Sequence, residues 1–189
     1  MLKVFYTDKY RVPLPDGHRF PISKYKLTRE YLLANNILKE SELSEPDIAT
    51  QNEILLVHSE DYYEFFRTGS IKEKAIRRLG LPWSYDLFLR SLASVGGSLS
   101  SAKSALQNGV AGNLSGGTHH AFRDYGEGYC VFNDFAIVST YLQKNNLAKK
   151  VAIIDLDVHQ GNGTASILKE NKNVFILDMH GEKNYPYEK

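Results

Sequence analysis

Cysteine is nearly absent: Cys130 is the only one in 189 residues, which excludes an internal disulfide and fits a reducing compartment. An excess of charge of either sign is missing too. Lys and Arg number 23 against 22 Asp and Glu, a formal net charge of +1, so there is no basic footprint for nucleic acid and no acidic tail. No run approaches the roughly 20 apolar residues of a membrane helix. The opening MLKVFYTDKYRV carries charges where a signal peptide needs an apolar core. Repeats, low-complexity tracts and linkers are missing, as are a phosphate loop, a nucleophile elbow and a zincin motif. What is left is a chain long enough for one domain with a real core. It is expected to be soluble, globular and cytoplasmic, with no nucleic-acid or membrane partner. Twelve tyrosines are available, some for a pocket wall.

Among what is present, the stretch VAIIDLDVHQGNGT, Val151 to Thr164, stands out. Four apolar residues suit a strand buried on both faces of a parallel sheet. Asp155, Asp157 and His159 follow at every second position, on one side if the strand stays regular to its end. Gly161 and Gly163 then break the strand, and Thr164 is a candidate cap for a short helix. Burying two carboxylates and an imidazole costs several kcal/mol unless they are paired or bound to a cation. Asp157 and His159 offer an oxygen and a nitrogen donor that zinc accepts, two ligands where at least one more is required. A hydrogen-bonded Asp–His pair without metal is the alternative.

The rest of the chain reads as alternating helices and short apolar strands. Leu2 to Tyr6 is a first strand. Ser23 to Leu38 has helical spacing, with Leu27, Tyr31, Leu32 and Ile37 as an apolar stripe. Glu53 to His58 is another short apolar run. Ser59 caps a helix that Gly69 ends, and Ile71 to Gly80 is a small basic helix. The longest helix opens at Ser84 and stops at Asn108–Gly109. Gly96 and Gly97 within it lose about 1 kcal/mol each in propensity and predict close packing against a neighbour. Val110 to Leu114 is a weak strand, Asn133 or Asp134 caps a helix to about Asn146, Val151 to Asp157 is the central strand, and Val174 to Asp178 is a further strand. This order predicts an α/β fold with a mainly parallel sheet, its site at the carboxyl ends of strands.

Two more stretches carry chemistry. In Gly116-Gly117-Thr118-His119-His120 the adjacent histidines imply an irregular loop, with Asp155 as the natural carboxylate partner for one of them. A pair of surface histidines in a turn is the plainer alternative. In Gly126 to Asp134, glycines beside aromatics point to a pocket wall, with Cys130 a small buried hydrophobe rather than a nucleophile. His18 and His58 are read as structural, and His180 as lying near the site.

Taken together, GGTHHA at 116–121, GYCVFND at 128–134 and DLDVHQGNGT at 155–164 resemble the histone deacetylase superfamily. DGHRFPISKY, LVHSEDYYEFF and MHGEKNYP look like its prokaryotic acetoin-utilisation and acetylpolyamine amidohydrolase branches. The resemblance implies a three-layer α/β/α arginase/deacetylase fold and zinc-dependent hydrolysis of an acylated amine such as acetyl-lysine or an acetylpolyamine. By motif, Asp157 and His159 would be zinc ligands, and His119, His120 and Asp155 the catalytic set. Gly128 and Tyr129 would line the substrate channel, and Asp155 and Asp178 would share a potassium site with Asp157, His159 and the Met179 region. Asn162 stands where many members have an aspartate that partners the second histidine.

The family's third zinc ligand and its catalytic tyrosine lie well downstream of these motifs. Tyr185 and Tyr187 come too early to fill that tyrosine's place. Residues 1–189 are therefore read as a single deacetylase-like domain, incomplete on its C-terminal side and poorly active alone. It would be prone to pair with a second copy through an open sheet edge. A non-catalytic module that binds a ligand or partner is the rival, and an arginase-like hydrolase a third reading whose two-metal ligand set these motifs do not supply.

Overall fold

The computed structural model describes residues 1–186; Tyr187 lies outside them. The strands are β1 (Lys3–Phe5), β2 (Leu43–Ser44), β3 (Ala111–Asn113), β4 (Val151–Asp155) and β5 (Val174–Asp178). The α-helices are α1 (Lys24–Ala34), α2 (Gln51–Ile54), α3 (Glu60–Thr68), α4 (Glu73–Leu79), α5 (Tyr85–Asn108), α6 (Asp134–Lys144) and α7 (Asn162–Leu168). Every strand pairing is parallel, in a three-stranded sheet β2-β1-β3 and a separate pair β4-β5. In the pair, Val151 lies opposite Val174 and Asp155 opposite Asp178. No described helix is long and apolar enough to cross a membrane.

Local chemistry explains most element ends. The Ser59 and Ser84 side chains accept from the Tyr62 and Leu87 amides and open α3 and α5. Gly69 closes α3 at a left-handed φ of 76°. α5 packs tightly because it carries the two predicted glycines. A Cβ on Gly96 would sit 1.9 Å from the Asp47 carbonyl oxygen, and one on Gly97 would meet the Asn113 side chain at 2.7 Å. The core gathers around Phe132, whose ring lies 5.3–6.5 Å from those of His58, Tyr62, Tyr63, Phe66 and Phe88.

Three expectations change. Glu53 to His58 is a helix end and turn, opened at Thr50 by a reciprocal cap with Glu53. The apolar stripe of α1 is uncovered: Leu27, Tyr31 and Ile37 are exposed, and the helix buries none of its residues. β4 is buried on one face only, with Ile154 62% exposed, and it ends at Asp155 rather than running on to Asp157. Hydrophobic period identifies an apolar face, whereas cover depends on what packs there.

Candidate active site

The site forms where the loop 116–121 meets the end of β4. The loop is held from below by the start of α6. Asp134, 1% exposed, accepts from the amides of Gly117 (3.0 Å) and Thr118 (2.9 Å) and from the hydroxyls of Ser98 and Thr118. Asn133 caps α6 through Ala136 and donates to the Ala121 carbonyl at 3.0 Å. Its own amide donates to His58 Nε2, so that histidine is a buried neutral spacer. α7 closes the other side. Thr164 donates its amide to the His119 carbonyl, and a Cβ on Gly163 would lie 2.4 Å from the Ala121 oxygen.

These clamps bury both histidines to 4% exposure, with ring centroids 4.2 Å apart. His119 Nδ1 lies 2.6 Å from Asp155 Oδ2. Burial disfavours charge on His119, but Asp155, with Asp157 and Asp178 behind it, outweighs that and holds the imidazole above its ordinary pKa. His120 Nδ1 donates to Asn162 Oδ1 at 2.8 Å. For this ring burial wins, helped by the neighbouring His119 and His159, and its pKa is lowered. The two rings therefore differ in their tendency to hold a proton, and the single exchange of a carboxylate for an amide partner accounts for much of that.

Beyond the strand end the chain bends. The Asp157 amide donates back to Asp155 Oδ1, and Asp157 Oδ1 lies 2.8 Å from His159 Nδ1 and 4.0 Å from His119 Nε2. A carboxylate oxygen and an imidazole nitrogen thus converge at the rim, donors that suit a metal. Among the described residues no group of three or more His, Cys, Asp or Glu is placed to hold one, so these two are at most part of a ligand set. Asp178 accepts from the Gly161 amide at 2.7 Å and contacts His180 at 2.5 Å. A Cβ on Gly161 would meet both the Asp155 and Asp178 carboxylates, which flank it from adjacent strand ends.

A cavity of about 930 Å³ opens over the histidines, with Asp157, His159, Gly128 and Tyr129 in its lining. Tyr129 has a left-handed φ of 68°, rare outside glycine, and its amide is tied to the Leu79 carbonyl. Its ring stands 4.9 Å from Phe20 and 6.3 Å from His18. Gly128 is required where it is, since a Cβ would lie 2.7 Å from His120. Burial pushes the Cys130 thiol up to about 12, which removes it as a nucleophile.

Tyr185 is the residue that sequence reasoning set aside and the fold brings in. Its ring stands edge-on to His120 at 5.0 Å and lies 6.3 Å from His159, with its hydroxyl donating to Glu127. No periodicity or spacing marks it; only the closing turn after β5 carries it there.

Comparisons with known proteins place the chain in a family. A model of the histone deacetylase domain matches residues 18–189. An uncharacterised protein of Picosynechococcus is 42% identical over 98% of this chain and 62% of its own length. The acetoin utilization protein AcuC of Staphylococcus aureus is 34% identical over 93% of the chain and 48% of its own. The crystal structure of an HDAC homologue complexed with SAHA superposes with a TM-score of 0.85 at 32% identity, covering all of this chain and 54% of that one. The chain thus spans about half to three fifths of the length of these relatives. With a parallel sheet flanked by helices and this fold match, the architecture is the arginase/deacetylase one, present in part, and the chain belongs to the histone deacetylase family.

Proposed function

We propose that this chain supplies the histidine wall of a zinc-dependent amidohydrolase that removes an acyl group from an acylated amine. The observation that supports this reading best is the histidine pair, buried side by side with partners of different chemistry, beside two outward-facing metal donors. Zinc held by Asp157, His159 and a donor outside the described residues would supply a water of lowered pKa and a polarised carbonyl. His120, its Nδ1 proton held by Asn162, offers Nε2 to take a proton from the attacking water. His119, whose proton is favoured by Asp155, offers a proton to the amine nitrogen as the C–N bond breaks. Gly128, Tyr129 and Tyr185 form the passage for the acyl-bearing chain. A potassium ion between Asp155 and Asp178 would offset two carboxylates brought together at Gly161. A cytoplasmic setting belongs to the same reading and rests on one buried thiol with no disulfide partner.

The test is a paired assay of this chain and a form extended to the length of the relatives, with an acetyl-lysine peptide, an acetylated polyamine and added zinc. Turnover by the extended form, lowered by 10²–10⁴ in His120→Ala while zinc stays bound, is the expected result. Full turnover by the short chain would mean that the catalytic parts have been misassigned. A second reading, a non-catalytic binding module, is favoured by the two-donor rim. It predicts no turnover in either form and no loss of zinc in the double variant Asp157→Ala, His159→Ala.

A further inference from the structure

The charged lining of the large cavity is uneven. Of its two carboxylates, Asp155 is buried beside His119 and Asp157 stands half in solvent at the rim with His159. Its other charged side chains are all cations and all exposed: Arg19, Lys24, Arg77 and Arg78. They come from two separate parts of the chain, each of which touches Tyr129 through a neighbouring residue, Phe20 or Leu79. Arg77 and Arg78 occupy the last turn of α4, directly before Leu79, whose carbonyl accepts the Tyr129 amide. A Cβ on the next residue, Gly80, would lie 2.8 Å from the Tyr129 ring. Lys24 lies over Phe20 at 4.9 Å, and Phe20 packs on Tyr129. Among the described residues, Arg77 alone of these four has a close carboxylate, Glu73. Arg78 lies over the Tyr125 ring, and no described carboxylate pairs with Arg19 or Lys24. Glu127 is engaged by Tyr185.

Cations placed for the helix dipole alone would not gather from two elements around one aromatic residue at a cavity mouth. Such a mouth raises the local concentration of anions and repels cations. The acyl end must reach the histidines and the Asp157–His159 donors, so the negative charge that the exposed cations favour belongs on the amine side. We infer that this site takes acylated amines whose amine portion carries carboxylates, an acyl-lysine within an acidic peptide being the form that fits. It disfavours acetylated polyamines, which bring positive charge to the mouth. This rests on the acyl-amine reading above and narrows it.

The experiment titrates this chain, by ¹⁵N NMR shifts, with acetyl-lysine peptides flanked by aspartates, serines or lysines, and with N-acetylspermidine, at low and high salt. The aspartate peptide is expected to bind on the order of tenfold tighter than the lysine peptide at low salt, with the gap closing as salt screens exposed charges. The double variant Lys24→Glu, Arg78→Glu should erase or reverse the order. Lys149→Glu, Lys150→Glu, which alters net charge equally at an exposed site outside the cavity lining, should leave it intact. Equal affinities, no measurable binding of the aspartate peptide, tighter binding of the polyamine, or the same loss in both double variants overturns the inference. Charge preference without turnover in the extended form would sink the hydrolase reading alone; turnover without charge preference would sink this one alone.

Discussion

The two sides of the β4 end are built in opposite ways. On the inner side, the loop 116–121, the start of α6 and the start of α7 interlock, and Asn133, Asp134 and Thr164 have their polar groups paired within the chain. On the outer side, Ile154 and Leu156 of the β4 end and Phe175 of β5 are 62%, 69% and 63% exposed, and the Asp157–His159 rim stands half in solvent. A histidine pair needs fixed geometry, and the inner side supplies it from the chain's own hydrogen bonds. Zinc chemistry needs a third donor and a dry wall, which the outer side lacks among the described residues. The inner half of the site is preorganised; the outer half is open among the described residues.

Breaking the inner side should have the largest effect. Asp134→Ala leaves the Gly117 and Thr118 amides and the Ser98 hydroxyl without their acceptor at a part-buried site, while the Thr118 hydroxyl keeps the Phe132 carbonyl. Each such group costs about 1–3 kcal/mol, so a loss on the order of 4 kcal/mol is expected in urea titration. Asp134 looks in sequence like a helix-start acid, yet its carboxylate is spent on the histidine loop 116–121. A loss under about 1 kcal/mol would show that the loop holds itself. Gly96→Ala comes next, at about 3 kcal/mol, because its Cβ would enter backbone rather than a movable side chain.

The third prediction uses pH. Burial lowers the His58 pKa to about 4, against the opposing pull of the Arg123 and Phe122 carbonyls. The unfolded chain, near 6.5, then binds the proton more readily, so this contribution is complete above about pH 6.5 and is lost as pH falls toward 4. From pH 6.5 to 5 the loss amounts to about 2 kcal/mol. His119, held above its ordinary value, works with the opposite sign, stabilising at low pH and fading as pH rises through its folded value. His58→Gln separates the two: its stability should fall less than wild type over that window. Parallel curves would mean that His58 is reached by water.

Much of this contrast was legible in the sequence, and the reason differs by element. Ser59, Gly69 and Ser84 act through local hydrogen bonds and local φ, so their helices end where the residues say. Chemistry paired Asp155 with one histidine of the pair, and the family resemblance, not spacing, pointed to His119. Tyr185 was not legible, since its place at His120 depends on the path of a loop. Cover was not legible either: the outer face of β4 was read as buried and lies open, and the α1 stripe, apolar by its spacing, is uncovered as well.

That openness gives the smallest expected effect on stability and the sharpest test of the comparison. Leu156 and Phe175 already lie mostly in water, so replacing both with serine removes little buried surface. The change in unfolding free energy should stay within about 0.5 kcal/mol. Association should respond instead, because an uncovered apolar face beside an unpaired strand edge invites another chain. Light scattering of the wild-type chain should therefore show self-association that the double serine variant loses. In the extended form the same substitutions should cost far more, on the order of 2–4 kcal/mol in total, if the added chain packs on this face. A large loss in the short chain would mean that a second copy already covers the face and contributes to its folding. The inner and outer sides would then differ only in which chain closes them.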